Sequence, residues 1–119
     1  MAKHNELGKK GELLAREFLV QKGYRIAEAN WRYDKDEIDL IAWQGDLLVV
    51  VEVKTCSTSY FGEPEEAVDA KKEAFLIRAT EAYLEENDLD CESRFDIVAI
   101  VMNEKETRIN HIEEAFFPE

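Results

Sequence analysis

The sequence predicts an α/β fold: a central mixed β-sheet of about five strands flanked by helices, in the order α-β-β-β-α-β-β. Three observations lead there. Two stretches carry apolar residues at helical spacing, one at the N-terminus and one after residue 64. Five short segments are rich in Val, Ile, Leu and aromatic residues and are bounded by turn residues. The second helical stretch stands between the third and fourth strands and is long enough for a parallel crossover, which makes the sheet mixed. At 119 residues the chain is read as one domain, 1–119.

Leu7 to Lys22 reads as an amphipathic helix. Leu7, Gly11, Leu14, Ala15, Phe18 and Leu19 form its stripe, and Gly23 is a natural stop. Glu12 lies about 90° from the centre of that stripe, at the rim, where it can reach a neighbouring sheet. Tyr24 to Trp31 is the first strand and Asn30 to Asp36 a turn. Glu37–Trp43 and Leu47–Lys54 follow as a hairpin closed at Gln44-Gly45-Asp46. Cys56 to Glu63 is a polar loop, and Pro64 suits the first turn of a second helix that runs to about Asn87. Its apolar side holds Ala67, Val68, Phe75, Ala79, Ala82 and Tyr83. Arg94–Met102 is a third apolar strand, and Thr107–Glu113 a short last one.

The hairpin carries the chemistry. Asp39 and Glu52 are acids inside segments that otherwise read as buried strands, and buried acids call for a partner. With Gly45-Asp46 as a two-residue loop, facing residue numbers sum to 91. Asp39 then faces Glu52, and Glu37 faces Lys54. A loop of Gln44-Gly45 keeps the parity, so Glu37, Asp39, Glu52 and Lys54 share one face either way; only a bulge or a longer loop separates them. Two carboxylates about 5 Å apart repel by about 3 kcal/mol at an effective dielectric near 20. A divalent cation removes that penalty, and oxygen ligands suit magnesium, manganese or calcium. The competing reading is a structural network of Glu37, Lys54 and one carboxylate at a sheet edge.

Composition narrows the classes. Hydrophobic content of 45% and aromatic content of 10% fit an ordered globular chain. No apolar run approaches about 18 residues, and Met1–Glu6 lacks the apolar centre of a secretory signal, so a cytoplasmic protein without a membrane span is expected. Cys56 and Cys91 lack zinc-site spacing and are expected as reduced thiols. A net charge of −12 argues against a nonspecific grip on nucleic acid. The charge is uneven, however: residues 1–35 hold eight Lys/Arg against five Asp/Glu. That excess is either a solvated helix face or a weak phosphate-facing patch.

An acid followed on the next strand by Glu-X-Lys, after a helix bearing a glutamate, resembles the PD-(D/E)XK (restriction endonuclease-like) nuclease superfamily. Within it the chain is similar to the YraN-like bacterial family related to Holliday junction resolvases. The similarity runs through Gly8, Gly11, Glu12 and Ala15, then Asn30 and Arg32, then Asp36-Glu37-Ile38-Asp39-Leu40-Ile41 and Val51-Glu52-Val53-Lys54. It continues through Phe61, Gly62, Pro64, Glu66, Ala67, Val68 and Lys72, then Arg94-Phe95-Asp96, and closes on His111, Ile112, Ala115 and Phe116. Two positions depart from the pattern. Asp36 stands where glycine is usual, and Cys56 where an arginine often follows the lysine.

The resemblance implies a restriction endonuclease-like fold and magnesium- or manganese-dependent endonuclease activity on DNA, branched DNA included. Asp39 and Glu52 would hold the metal, with the Val53 carbonyl and Glu12 as further ligands. Lys54 would orient the attacking water. DNA contact, weak and metal-dependent, would fall to Lys9, Lys10, Arg16 and Arg32, with Lys72 in support. Resolvase relatives act as dimers, so a homodimer is open, although no feature of the sequence specifies an interface. The rival is a catalytically silent nuclease-fold module for nucleic-acid binding or protein assembly.

Overall fold

The computed structural model describes residues 2–58 and 68–118, with side chains from residue 6 onward. Its elements are α1 (Ala2–Gln21), β1 (Arg25–Tyr33), β2 (Asp36–Gln44), β3 (Leu47–Cys56), α2 (Ala70–Glu86), β4 (Ser93–Met102) and β5 (Thr107–Phe116). The strands form one sheet in sequential order, β1-β2-β3-β4-β5. Only β3 and β4 are parallel, because α2 carries the chain back across the sheet between them. The other neighbours are antiparallel. The sheet is therefore mixed and the element order is the one the sequence predicts.

Each face of the sheet has its own core. On one side Ala15 and Leu19 of α1 meet Leu40, Ala42, Val49, Val51, Val98 and Ile100. On the other, Phe75, Leu76, Ala79 and Tyr83 of α2 meet Ile38, Ile41, Leu48, Val50, Phe95 and Ile97. A sheet covered on both faces needs continuous apolar strands, which is why Leu47–Val51 and Ile97–Val101 read as unbroken runs. Each fully buried Leu, Ile or Val contributes roughly 1.5–3 kcal/mol through removal of its surface from water.

Two expectations need correction. The second helix begins at Ala70, after the non-helical Val68 and Asp69; the start expected at Pro64 lies outside the described residues. Asp69 is its N-cap, with φ −84°, ψ 178° and its carboxylate accepting the Lys72 N–H. Val68 thus precedes the helix, though it still packs under it. The first strand also extends past Trp31 to Tyr33, which shortens the following turn to Asp34 and Lys35.

The hairpin register holds where it is paired. Gln44 faces Leu47 and Leu40 faces Val51, the sum of 91, and Gly45 takes φ +61° as a glycine-first loop requires. Strict alternation does not hold beyond it. Ile38 packs beneath α2, whereas Leu40 packs beneath α1. Next door, Ala29 pairs with Leu40 and Trp31 with Ile38, which leaves Asn30 across from Asp39. Asn30 has φ +54°, a left-handed conformation that asparagine tolerates. The two strands therefore switch faces together at this point, and the candidate acid sits at the switch.

Candidate functional site

Helix α1 reaches the sheet through Gly11. That residue is buried against β3, and a Cβ there would overlap the Thr55 hydroxyl and lie 2.9 Å from the Thr55 Cβ. Only glycine allows the approach. The next residue, Glu12, is thereby carried to the switch point, where it accepts a hydrogen bond from Asn30 Nδ2 at 3.0 Å. The left-handed turn at Asn30 thus has two uses: it flips the strand and it holds the helix acid.

Asp39 no longer pairs through its backbone with β3. Its Oδ2 instead accepts the Val53 N–H at 2.8 Å, so a side chain closes the gap where the strands part. Asp39 and Glu52 are close enough for each to shift the other's titration. Burial pushes the Asp39 carboxyl up to about 6; the Val53 N–H opposes this and the Glu12 charge adds to it. Burial pushes Glu52 up to about 8, reinforced by the Asp39 charge and opposed by Lys72. The two acids therefore titrate together, and neither favours its charge in the absence of a cation. Glu52 Oε1 is buried and accepts no hydrogen bond among the described residues.

Lys72 of α2 is the counter-cation. Its Nζ lies 3.8 Å from Glu52 Oε1 and 3.2 Å from Asp36 Oδ2. Burial works against the ammonium, but Glu52 and Asp36 raise its pKa on balance. Burial also works against the Asp36 carboxylate, yet the Glu37 N–H and Lys72 hold it below the ordinary value. Asp36, the departure from the usual glycine, is therefore what anchors Lys72. Pairing Lys72 with these carboxylates was not legible in the sequence, because it depends on how α2 docks.

The cross-strand partnership of Glu37 with Lys54 does not form. Glu37 pairs with Arg32 at 3.7 Å, and Lys54 is exposed with no ion pair among the described residues. The cause is the parting of β2 and β3 beyond Leu40 and Val51. Lys9 and Lys10 are exposed on α1 and make no contact with the carboxylates; Arg16 lines a shallow depression with Leu13, Val20 and Ile26. The cations beside Glu52 are different ones. A cleft of about 720 Å³ between the β1–β2 turn and α2 is lined by Lys35, Lys71, Lys72 and Arg78, with Glu52 at one wall.

The donor set fits a hard divalent cation. Among the described residues no three acid, histidine or cysteine side chains converge as a preassembled cage. Magnesium, however, is commonly bound by one or two carboxylates and keeps several waters. Asp39 and Glu52 meet that requirement, and the Glu52 oxygen that accepts no hydrogen bond among the described residues is available as a ligand atom.

A second buried acid lies elsewhere in the sheet. Asp96 on β4 accepts two hydrogen bonds from Arg94, at 2.8 and 2.9 Å, and the Glu114 N–H at 3.1 Å. Its Oδ2 is 2.7 Å from His111 Nε2. Lys22 Nζ lies 2.7 Å from the other ring nitrogen, and its donation there leaves the ring proton on Nε2, facing Asp96. Both cysteines are free thiols. No helix among the described residues is long and apolar enough to cross a membrane.

Comparison with known proteins places these features in one lineage. The chain is 53% identical to a UPF0102 protein of Christiangramia forsetii over 117 residues, 98% of each chain. It is 50% identical to a UPF0102 protein of Flavobacterium psychrophilum, again over 98% of each chain. A UPF0102 protein of Phocaeicola vulgatus is 46% identical over 99% of this chain and 98% of its own. The model of the uncharacterised protein family UPF0102 matches residues 11–100, a span that begins at the glycine seating α1 and takes in Glu12, Asp39, Glu52 and Lys72. The chain belongs to the UPF0102 family.

Proposed function

We propose that the protein is a divalent-cation-dependent, endonuclease-like phosphodiester hydrolase acting on DNA, with branched DNA among its substrates. The observation that carries this reading is the orphaned Glu52 Oε1 beside Asp39, in a pair whose carboxyls are both pushed up by burial, with the Asp39 charge adding to it at Glu52 and the Glu12 charge at Asp39. Such a pair is unfavourable for a fold on its own and favourable for a fold that takes a cation. Asp39 and Glu52 would hold magnesium or manganese, with the Val53 carbonyl and Glu12 as supplementary oxygens. When bound, the ion would polarise the phosphate and lower the pKa of water beside it.

The chain's own groups supply the rest. The Val53 N–H fixes one Asp39 oxygen and so orients the other. Glu12, which accepts a hydrogen bond from Asn30, would take the proton that the attacking water sheds. Hydrolysis adds that water oxygen to phosphorus and breaks one ester P–O bond; the leaving alkoxide takes up a proton from solvent. Lys54, exposed and unpaired among the described residues, is free to meet the phosphate as negative charge builds on it.

The alternative is a catalytically silent module of the same fold, for nucleic-acid binding or protein assembly. The net charge of −12 favours it. One experiment separates the two. Calorimetric titration with manganese is followed by incubation with linear, single-stranded, flapped and four-way DNA. We expect manganese binding lost in Asp39→Asn/Glu52→Gln, and slow cleavage lost in Lys54→Ala with metal binding retained. Manganese binding without cleavage of any DNA form selects the silent module.

A further inference from the structure

We infer that the cleft between the β1–β2 turn and α2 is the track for a nucleic-acid backbone, with Lys35, Lys71 and Arg78 as its phosphate contacts. The identity of the strand rests on the hydrolase reading above; the location rests on the structure. Lys71 and Arg78 are seven residues apart on α2, with Phe75 between them on the same face and at the same cleft. They are spaced along about 10 Å of helix axis. Lys35 stands across from them in the turn between β1 and β2.

Charge accounting separates these cations from the others. Lys72 lies in the same cleft but is already engaged by Asp36 and Glu52. Arg32 is engaged by Glu37. Lys35, Lys71 and Arg78 are exposed and have no ion pair among the described residues. Three unpaired cations gathered at one cleft are a local exception in a chain of net charge −12. Among the described residues four acids line the same cleft: Asp36 meets Lys72 and the Glu37 N–H, Asp69 accepts the Lys72 N–H, Glu52 faces Lys72, and Asp34 stands in the turn beside Lys35. Lys35, Lys71 and Arg78 are therefore the cations of the cleft left to meet a phosphate, beside the exposed Asp34.

Its end is what gives it a use. Glu52 lines the same cleft, so a strand held by Lys35, Lys71 and Arg78 runs directly to the carboxylate pair. A cation on Asp39 and Glu52 would remove the repulsion between that end and a phosphate. The cations of α1, Lys9, Lys10 and Arg16, do not line this cleft. The basic N-terminal third singled out by composition is then mainly a solvated face.

Binding can be measured apart from cleavage. Fluorescence anisotropy of labelled single-stranded and four-way DNA is followed against salt, with calcium as the divalent ion. Each phosphate contact contributes about one unit to the slope of log K against log salt. Lys71→Gln/Arg78→Gln should weaken binding at least tenfold and make the slope shallower by about two. Lys9→Gln/Lys10→Gln/Arg16→Gln should change affinity less than twofold. All these side chains are at the surface, so thermal midpoints should match the parent and serve as the folding control. If the parent binds DNA and the α2 double variant binds it with the same affinity and slope, the track is wrong and the hydrolase reading stands. If the parent binds manganese but no DNA under any condition, the track and the DNA substrate fall together.

Discussion

Asp96 and Glu52 are acids of one sheet, Asp96 fully buried and Glu52 with a side chain 16% exposed, and they sit in opposite circumstances. Asp96 is saturated: Arg94, His111 and the Glu114 N–H all point at it, and together they hold its carboxyl below the ordinary value despite burial. Glu52 is short of donors: one oxygen has no hydrogen bond, its nearest cation is 3.8 Å away, and its neighbour is another acid. The first arrangement ties β4 and β5 to the end of α1 and to Tyr24, and is complete within the chain. The second is complete only when something positive arrives. Burial of a carboxylate therefore says little about function until its partners are counted.

The largest expected effect breaks the saturated cluster. Asp96→Asn leaves the Arg94 guanidinium, whose side chain is 12% exposed, with only the half-exposed Glu113 carboxylate at 3.5 Å as counter-charge. Urea unfolding should show a loss of about 3–5 kcal/mol. Arg94→Met/Asp96→Leu should recover part of it, because no buried charge is then left alone. A loss below about 1 kcal/mol in Asp96→Asn would mean that the two acids are not opposites.

The opposite sign is expected at the candidate site. Glu52 is raised from 4.5 to about 8, so the folded state binds a proton that the unfolded chain releases. That contribution is full below about pH 4.5 and is lost as pH rises toward 8. Without divalent ion, stability should therefore fall across this window by on the order of a few kcal/mol. Glu52→Gln should flatten the decline and be as stable as the parent or more so at pH 8. Manganese should stabilise the parent above pH 7 and leave Glu52→Gln nearly unmoved. Asp96 works the other way: its contribution is present above its ordinary value of 3.8 and is lost as pH falls below it. A parent whose metal-free stability is level from pH 5 to 8 would remove the ground for a cation site.

How much of this contrast could be read from the sequence depends on the range of the interactions. The hairpin register was legible because Gly45-Asp46 limits the loop and a two-residue turn fixes the pairing. The mixed sheet was legible because a helix between two strands allows a parallel pair. The face switch was not, since period-two reasoning assumes alternation, and the irregularities that break it, at Asn30 and Asp39 and between Ile26 and Glu28, leave no local signature in the sequence. The Asp69 cap was obscured by Pro64 and the acids after it, which resemble a helix start equally well. Lys72 and Asp36 are 36 residues apart in sequence, and their pairing is set by helix docking. The same holds for Arg78, whose place at the cleft only the packed helix discloses.

A moderate effect tests whether α1 imposes the crowding of acids. Gly11→Ala places a methyl against the Thr55 side chain and should cost about 1–3 kcal/mol. It should also draw Glu12 away from Asp39. Manganese affinity should then fall several-fold with Asp39 and Glu52 untouched. Thr55→Ala in the same chain should restore part of the stability, since it removes the hydroxyl and the methyl that the new Cβ meets. Unchanged metal affinity in Gly11→Ala would place Glu12 outside the cation's reach.

The smallest effect is expected at Asn30, where backbone and side chain can be separated. Asn30 contributes a left-handed φ of +54° and the amide that holds Glu12. Asn30→Gly keeps the backbone within reach and removes only the amide, so stability should change by a few tenths of a kcal/mol. Asn30→Ala removes the amide and also strains the backbone, at a cost of about 1 kcal/mol. Both release Glu12 from its donor. If that donor is what keeps Glu12 beside Asp39, manganese affinity should drop by the same factor in the two variants, although their stabilities differ. Should affinity follow stability, falling in Asn30→Ala alone, the face switch would be what assembles the acids and the amide would be incidental. That outcome would shift the contrast between Glu52 and Asp96 from a matter of donors to a matter of backbone geometry.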